Sequence, residues 1–154
     1  MKAEIINPFI EATLDVVRNF AQIELTKDKL ELVSSPFEVN SVAGIIGLTG
    51  SLEGNFIISM PEISAQKLAS KIIGYELEKG NELVTSCVGE IANQIGGKFI
   101  RNLPQDHHVY ITPPQVVIGI GMKVSSKSPI FSIAFINPLI GVLKLNVTCQ
   151  ESRD

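Results

Sequence analysis

Charge is scarce in this sequence, and what there is lies scattered. Asp, Glu, Lys and Arg make up 19% of the residues, below the roughly 25% usual in soluble domains, so much of the surface is neutral or meets another chain. The net charge is −3 and the pI about 5.4. Lys and Arg form no patch, which argues against a nucleic-acid partner, since that needs a concentrated basic footprint. Cysteine is scarcer still. Cys87 and Cys149 stand far apart with no Cys-x-x-Cys and no neighbouring histidine, so neither a structural disulfide nor a zinc site is expected, and a reducing cytoplasm is the expected compartment. Met1-Lys2-Ala3-Glu4 lacks the apolar core of a signal peptide. The longest uncharged run, Ser128 to Leu143, is broken by Asn137-Pro138 and carries repeating β-branched residues. It reads as paired strands rather than a membrane span, so no membrane insertion is expected.

What is present is a core-forming chain. With 154 residues, 45% of them hydrophobic, and a mean hydropathy of +0.27, residues 1–154 are long enough for one domain with a real interior. Asn7-Pro8 is expected to open the first helix, with Asn7 as cap and Pro8 in the first turn. Ile10, Leu14, Val17 and Ala21 form its apolar stripe. Three strand-like segments follow, at Leu30–Phe37 (Pro36 marking an edge or an end), Ser41–Leu48 and Glu53–Met60, the last two joined by the turn Thr49-Gly50-Ser51. Pro61-Glu62 starts a second helix that stops at Gly74.

The strongest helical pattern runs from Leu83 to Asn102. Val84, Val88, Ile91, Ala92, Ile95 and Phe99 gather on one side, and Ser86, Glu90, Asn93 and Gly97 on the other. Beyond it, Tyr110–Ile118 reads as an edge strand entered through Pro113-Pro114, and Ile130–Ile136 with Leu139–Thr148 as a second hairpin. The order α-βββ-αα-βββ predicts an α+β fold with helices packed on a mostly antiparallel sheet. Each half is a helical portion followed by three strands, which hints at a duplication.

Most reactive residue types lack a context. His107-His108 has no carboxylate or thiol at ligand spacing and reads as a solvated loop. Ser34-Ser35, Ser125-Ser126 and Ser128 read as turn residues, for want of a Gly-x-Ser-x-Gly frame. The glycines of Gly44-Ile45-Ile46-Gly47 lie in a strand, so no phosphate-cradling loop is indicated, and Gly119-Ile120-Gly121 reads as a bend. Cys87 reads as a semi-buried small apolar residue. Glu90 and Asn93 differ. Three apart on a helix, their side chains share one face. Gly89, Gly96 and Gly97 beside them each cost roughly 1 kcal/mol of helix stability relative to Ala. With Ser86 they make a bare face that another backbone could approach. Pattern alone leaves two readings, a solvated polar stripe or a docking or catalytic surface.

Glu90-Ile91-Ala92-Asn93-Gln94-Ile95-Gly96-Gly97 resembles the signature of the CheC/CheX/FliY family of chemotaxis phosphatases, Glu-x-x-Asn followed by Gly on one helix. The likeness extends over most of the chain. Ser51 to Met60, with Ala65, Ala69 and Gly74, is similar to the strand and helix that precede the motif, and Pro113-Pro114-Gln115-Val116-Val117-Ile118-Gly119 to the strand after it. CheC-type members carry a first signature on the opening helix. Here Glu11 is followed three later by Leu14 and Asp15 by Arg18, so the single copy points to the CheX branch. The resemblance implies that the chain hydrolyses the aspartyl phosphate of a phosphorylated CheY-like response regulator. In that scheme Asn93 holds the attacking water and Glu90 pairs with a lysine near the regulator's phosphorylation site. Ser86, Gly89, Gly96 and Gly97 contact the regulator. The chain has no cofactor or metal of its own, Mg²⁺ belonging to the regulator, and a homodimer joined through its sheets is implied too. Two other classes stay open, a non-catalytic module that binds a regulator or flagellar component through the same face, and a structural dimerisation domain.

Overall fold

The structure is a computed structural model that describes residues 3–152; Met1 and Lys2, read above as part of the N-terminal stretch, lie outside them. Its helices are α1 (Ala3–Ala21), α2 (Glu62–Ile73) and α3 (Glu82–Asn102). Its strands are β1 (Thr26–Val33), β2 (Phe37–Glu38), β3 (Val42–Gly50), β4 (Leu52–Met60), β5 (Val109–Ile111), β6 (Gln115–Ile118), β7 (Lys123–Val124), β8 (Ile130–Asn137) and β9 (Gly141–Glu151).

The hairpins β3–β4 and β8–β9 meet at β4 and β9, giving the order β1-β8-β9-β4-β3-β5, with β6 also paired to β3. Every pairing is antiparallel. Exchanging β1 with β5/β6, β3 with β8 and β4 with β9 reproduces the same order read backwards. The two halves are thus related by a pseudo-two-fold axis between β4 and β9, and each half lends its first strand to the other's hairpin. This is the duplicated α+β layer expected from the element order. Two short strands, β2 and β7, were not expected. They pair with each other, and residues in and beside them, Phe37, Val39, Met122 and Val124, pack with Ala43, Ile57 and Ile130 in a second, smaller core.

Three sequence expectations are corrected. The first helix does not open at Asn7-Pro8. It starts at Ala3, with Pro8 inside, because Ile5 and Ile6 are buried. Their burial offsets the one backbone bond that proline removes. The first strand is Thr26–Val33, not Leu30–Phe37. It is an edge strand, so Lys27, Asp28 and Lys29 can face solvent while the backbone pairs with β8. Pro36 lies past its end, which agrees with the end it was expected to mark. The span Tyr110–Ile118 is two strands, interrupted at Pro113-Pro114, where no backbone donors exist. Thr112 bridges the break, its amide donating to the Gly47 carbonyl at 3.0 Å and its Oγ1 accepting from the Gly47 amide at 2.8 Å.

Helix α3 is fixed by its cap and by its packing. Asn81 caps it, its Oδ1 accepting from the Leu83 amide at 2.9 Å, which satisfies one of the four orphan donors at a helix start. Its apolar stripe then packs on the sheet. Phe99 stacks on Phe9 of α1 with centroids 3.6 Å apart, and Phe9 meets Phe56 of β4 edge-on at 5.3 Å. Gly44 in β3 permits the close approach, since a Cβ there would lie 3.2 Å from the Cβ of Ala92. The helix is therefore held rigidly across the β3 side of the sheet, with its opposite face outward.

Candidate catalytic surface on the third helix

That outward face borders an open groove of about 590 Å³, lined by Thr85, Ser86, Gly89, Glu90, Asn93, Pro114, Val116 and Ile118. One wall is the polar side of α3. The other is the edge strand β6 with the proline that precedes it. Of the six residues expected in the site, the structure brings four together here, Ser86, Gly89, Glu90 and Asn93.

Glu90 is exposed, and its Oε1 accepts a hydrogen bond from Gln94 Nε2 at 2.8 Å. This i,i+4 contact was legible in the sequence but was not drawn from it. It holds the carboxylate against the helix instead of leaving it to sweep through solvent. Asn93 is half-buried and its side chain makes no hydrogen bond to another described residue, so both its donors and its acceptor are available.

The glycines divide. A Cβ on Gly89 would lie 3.3 Å from Val116 Cγ2, so this residue forms the floor of the groove and lets α3 sit close to β6. Gly96 is not part of the outward face. It is buried, and a Cβ there would lie 3.1 Å from Ile111 Cδ1 and 3.5 Å from Phe56 Cε1. Its bareness serves packing inside the chain, so the room attributed to it for a partner is withdrawn. Gly97 does face outward, but the space beside it is taken by the chain's own Arg101, whose Nη1 lies 3.5 Å from the Cβ position. The guanidinium end of Arg101 thus reaches back over the bare turn. The groove is flanked by a carboxylate at Glu90 and, beyond Gly97, by a guanidinium.

No thiol or imidazole lines this groove, and of its two hydroxyls that of Thr85 is spent on the Glu82 carbonyl at 3.0 Å. Cys87 is buried on the same helix, and its thiol pKa is raised, by burial first and then by the charge of Glu90. It stays protonated and unreactive at neutral pH. Among the described residues no cluster of three or more His, Cys, Asp and Glu side chains could hold a metal ion, and no helix is long and apolar enough to cross a membrane. His107 and His108 lie in the loop before β5. Ser51 Oγ lies 3.4 Å from His107 Nδ1 and accepts from the His108 amide at 2.9 Å, a loop-tying arrangement away from the groove. Ser126 likewise ties a turn, its amide donating to Ser35 Oγ at 2.9 Å.

Because α1 begins at Ala3, the spacing Glu-x-x-Asn occurs a second time, at Glu4 and Asn7, both exposed. It is the spacing alone, not a second signature, since no glycine follows Asn7 on α1. The surroundings differ too. Pro8 stands where Gln94 stands in α3, so no carboxamide holds Glu4. The cleft beside Glu4 is polar and carries Asp106 and Glu151, where the groove beside Glu90 has an apolar wall.

A family model described as chemotaxis phosphatase CheX matches residues 42–136. The chain is 35% identical over 128 residues to the CheY-P phosphatase CheX of Thermotoga maritima, covering 82% of this chain and 83% of that one. Its fold is similar to the chemotaxis protein CheX from Vibrio vulnificus, with a TM-score of 0.86 and 26% identity over 96% of this chain and all of the other (100%). It is similar too to a solved CheX–CheY–BeF3–Mg²⁺ complex from Borrelia burgdorferi, with a TM-score of 0.83, 30% identity and coverage of 96% and 98%. With family model and identity in agreement over most of its length, the chain belongs to the CheX family of chemotaxis phosphatases.

Proposed function

We propose that this chain accelerates hydrolysis of the aspartyl phosphate on a phosphorylated CheY-like response regulator, with Asn93 aiming the water and Glu90 docking the regulator. The observation that carries this reading is the pairing of an uncommitted carboxamide with a tethered carboxylate on a rigid helix, beside an open groove lined by no thiol or imidazole. Such a surface supplies positioning and little else. An acyl phosphate needs little else, because the mixed anhydride is already activated and the barrier falls when a water is held in line. The water oxygen bonds to phosphorus, the bond from phosphorus to the aspartyl oxygen breaks, and the proton leaves with inorganic phosphate or solvent. Asn93 can hold that water through its amide without changing protonation. Glu90, an acceptor along its free edge, suits a lysine on the regulator. Mg²⁺, when bound, neutralises charge on the phosphoryl group from the regulator's side.

Ser86 and Gly89 complete the contact surface, and Gly97 joins it through the Arg101 that covers it. The Thermotoga and Borrelia relatives support the reading, the first by being a CheY-P phosphatase and the second by having been solved with CheY, BeF3 and Mg²⁺. The reading includes a cytoplasmic homodimer joined through the sheets, for which the edge strand β1 offers a free backbone and exposed Leu30 and Leu32. The test is phosphate loss from a phosphorylated CheY-type regulator with and without the protein. Faster loss supports the phosphatase. Complex formation without faster loss would make the surface a non-catalytic binding module instead.

A further inference from the structure

The groove has an apolar wall that the chemistry above does not use. Pro114, Val116 and Ile118 line it opposite Glu90 and Asn93. Ile118 is 62% exposed, and two residues on, Ile120 is 100% exposed. These side chains do not lie on a slack loop. The Gly119 amide donates to the Ser41 carbonyl at 3.0 Å, and the Val39 amide to the Met122 carbonyl at 3.1 Å. Gly121 supplies the positive φ (+67°) that lets the bend turn back, and Met122 packs under Gly119, 3.0 Å from where a Cβ would be. The chain thus holds two large aliphatic side chains in water on an anchored bend, next to the groove that carries Glu90 and Asn93. Exposed apolar surface continuous with a polar site marks an interaction surface.

We propose that Ile118 and Ile120 form an apolar lip that seats against an apolar patch on the phosphorylated regulator, beside its phosphorylation site, and so select which regulator is accepted. The inference rests on the phosphatase reading and names its specificity element. The occupant follows from continuity. The two walls meet at the floor, where Val116 Cγ2 lies 3.3 Å from the Cβ position of Gly89, so a protein whose phosphoryl group reaches Asn93 must cover the facing wall as well. A second copy of the chain seated there would bury Glu90 and Asn93 and shut the site.

The test uses the full chain with Ile118→Ser, Ile120→Ser and the pair. Both positions are solvent-facing, so thermal unfolding should match wild type. With a phosphorylated CheY-type regulator and Mg²⁺, the paired variant should raise KM at least about tenfold while kcat stays within about threefold. In an Asn93→Ala background, affinity for the same regulator activated with beryllofluoride should fall by a similar factor. An unchanged KM while wild type is active overturns the lip and leaves the phosphatase reading standing. So does wild-type specific activity that rises on dilution when the paired variant's does not, since the lip is then a self-association surface. No acceleration by the wild-type protein overturns the phosphatase reading, and the lip with it.

Discussion

Asn93→Ala separates a catalytic residue from a structural one, because the structure predicts effects of opposite sign on rate and stability. In the free protein the Asn93 side chain gives up no hydrogen bond to another described residue and is only half-buried, so truncation opens no sealed cavity. Ala is a better helix former than Asn, and the substitution sits inside α3, capped at Asn81. The net change is a gain of about 0.5 kcal/mol, or a rise in melting temperature of roughly 1–2 °C for a chain of this size. In the complex the same amide is proposed to hold the attacking water. Removing one such preorganised group typically costs about 100- to 1000-fold in rate, roughly 2.7–4 kcal/mol of transition-state stabilisation. The assay is phosphate release at saturating phosphorylated regulator, run beside thermal unfolding of the free protein. A variant that keeps its rate within about threefold, or that loses more than about 1 kcal/mol of stability, would refute the assignment, since either result makes Asn93 part of the scaffold.

Gln94→Ala frees Glu90 from its 2.8 Å hydrogen bond and should raise KM for the regulator by about three- to tenfold with kcat little changed; Gln94→Glu, which puts like charge beside Glu90, should be worse. Gly54→Ala should cost about 3 kcal/mol in urea unfolding, because φ is +143° and a Cβ would lie 1.7 Å from the Thr148 carbonyl oxygen, backbone that β9 cannot yield. Cys149 bears on alkaline stability: burial pushes its thiol up to about 12 from 9.0, so the folded chain keeps a proton that the unfolded chain loses. The Cys149 contribution is complete below pH 9 and falls between pH 9 and 12 by about 1.4 kcal/mol per unit, a share of the alkaline slope that Cys149→Ala should remove from a pH series of unfolding midpoints while that of Cys87 remains. Finally, acetyl phosphate, which carries the same bond without a protein around it, should hydrolyse at the same rate with or without the chain, read by colorimetric phosphate; acceleration would mean the groove is complete by itself.

What was legible in the sequence was local. The stripe of α3 and the glycine stop of α2 follow from helical period and capping chemistry, and both hairpins follow from apolar runs around a turn. The expectations that failed depend on partners distant in sequence. β1 hides behind Lys27, Asp28 and Lys29 because its pairing partner is β8, with Thr26 opposite Ile136, and an edge strand need not alternate. α1 runs through Pro8 because Ile5 is buried in the main core. Gly96 and Gly97 are adjacent and identical in type, yet one meets Ile111 and Phe56 while the other meets Arg101. A helical wheel places them only about 100° apart, and where β4 and β5 set Phe56 and Ile111 decides which is covered. The groove itself was out of reach, since its second wall comes from β6, beyond the loop that holds His107 and His108.

The pseudo-two-fold axis sharpens why one helix acts. It places β1 where β5 and β6 stand, yet it is α3 that packs on its edge strands, Gly89 against Val116 and Gly96 against Ile111. Those edges are not equivalent. β1 is continuous, with charged side chains and nearly full exposure. Its counterpart is broken at Pro113-Pro114, which turns β6 in against Gly89 and leaves Pro114, Val116 and Ile118 as a wall. A Glu-x-x-Asn spacing exists on both helices, at Glu4 and Asn7 as well as at Glu90 and Asn93. Only α3 also has a carboxamide to hold the glutamate, a glycine to let the strand close in, and an apolar wall for a partner to lean against. Spacing on a helix therefore does not make this site. The site comes from what the broken edge strand sets beside the helix, and a second protein must supply the phosphate and close the groove.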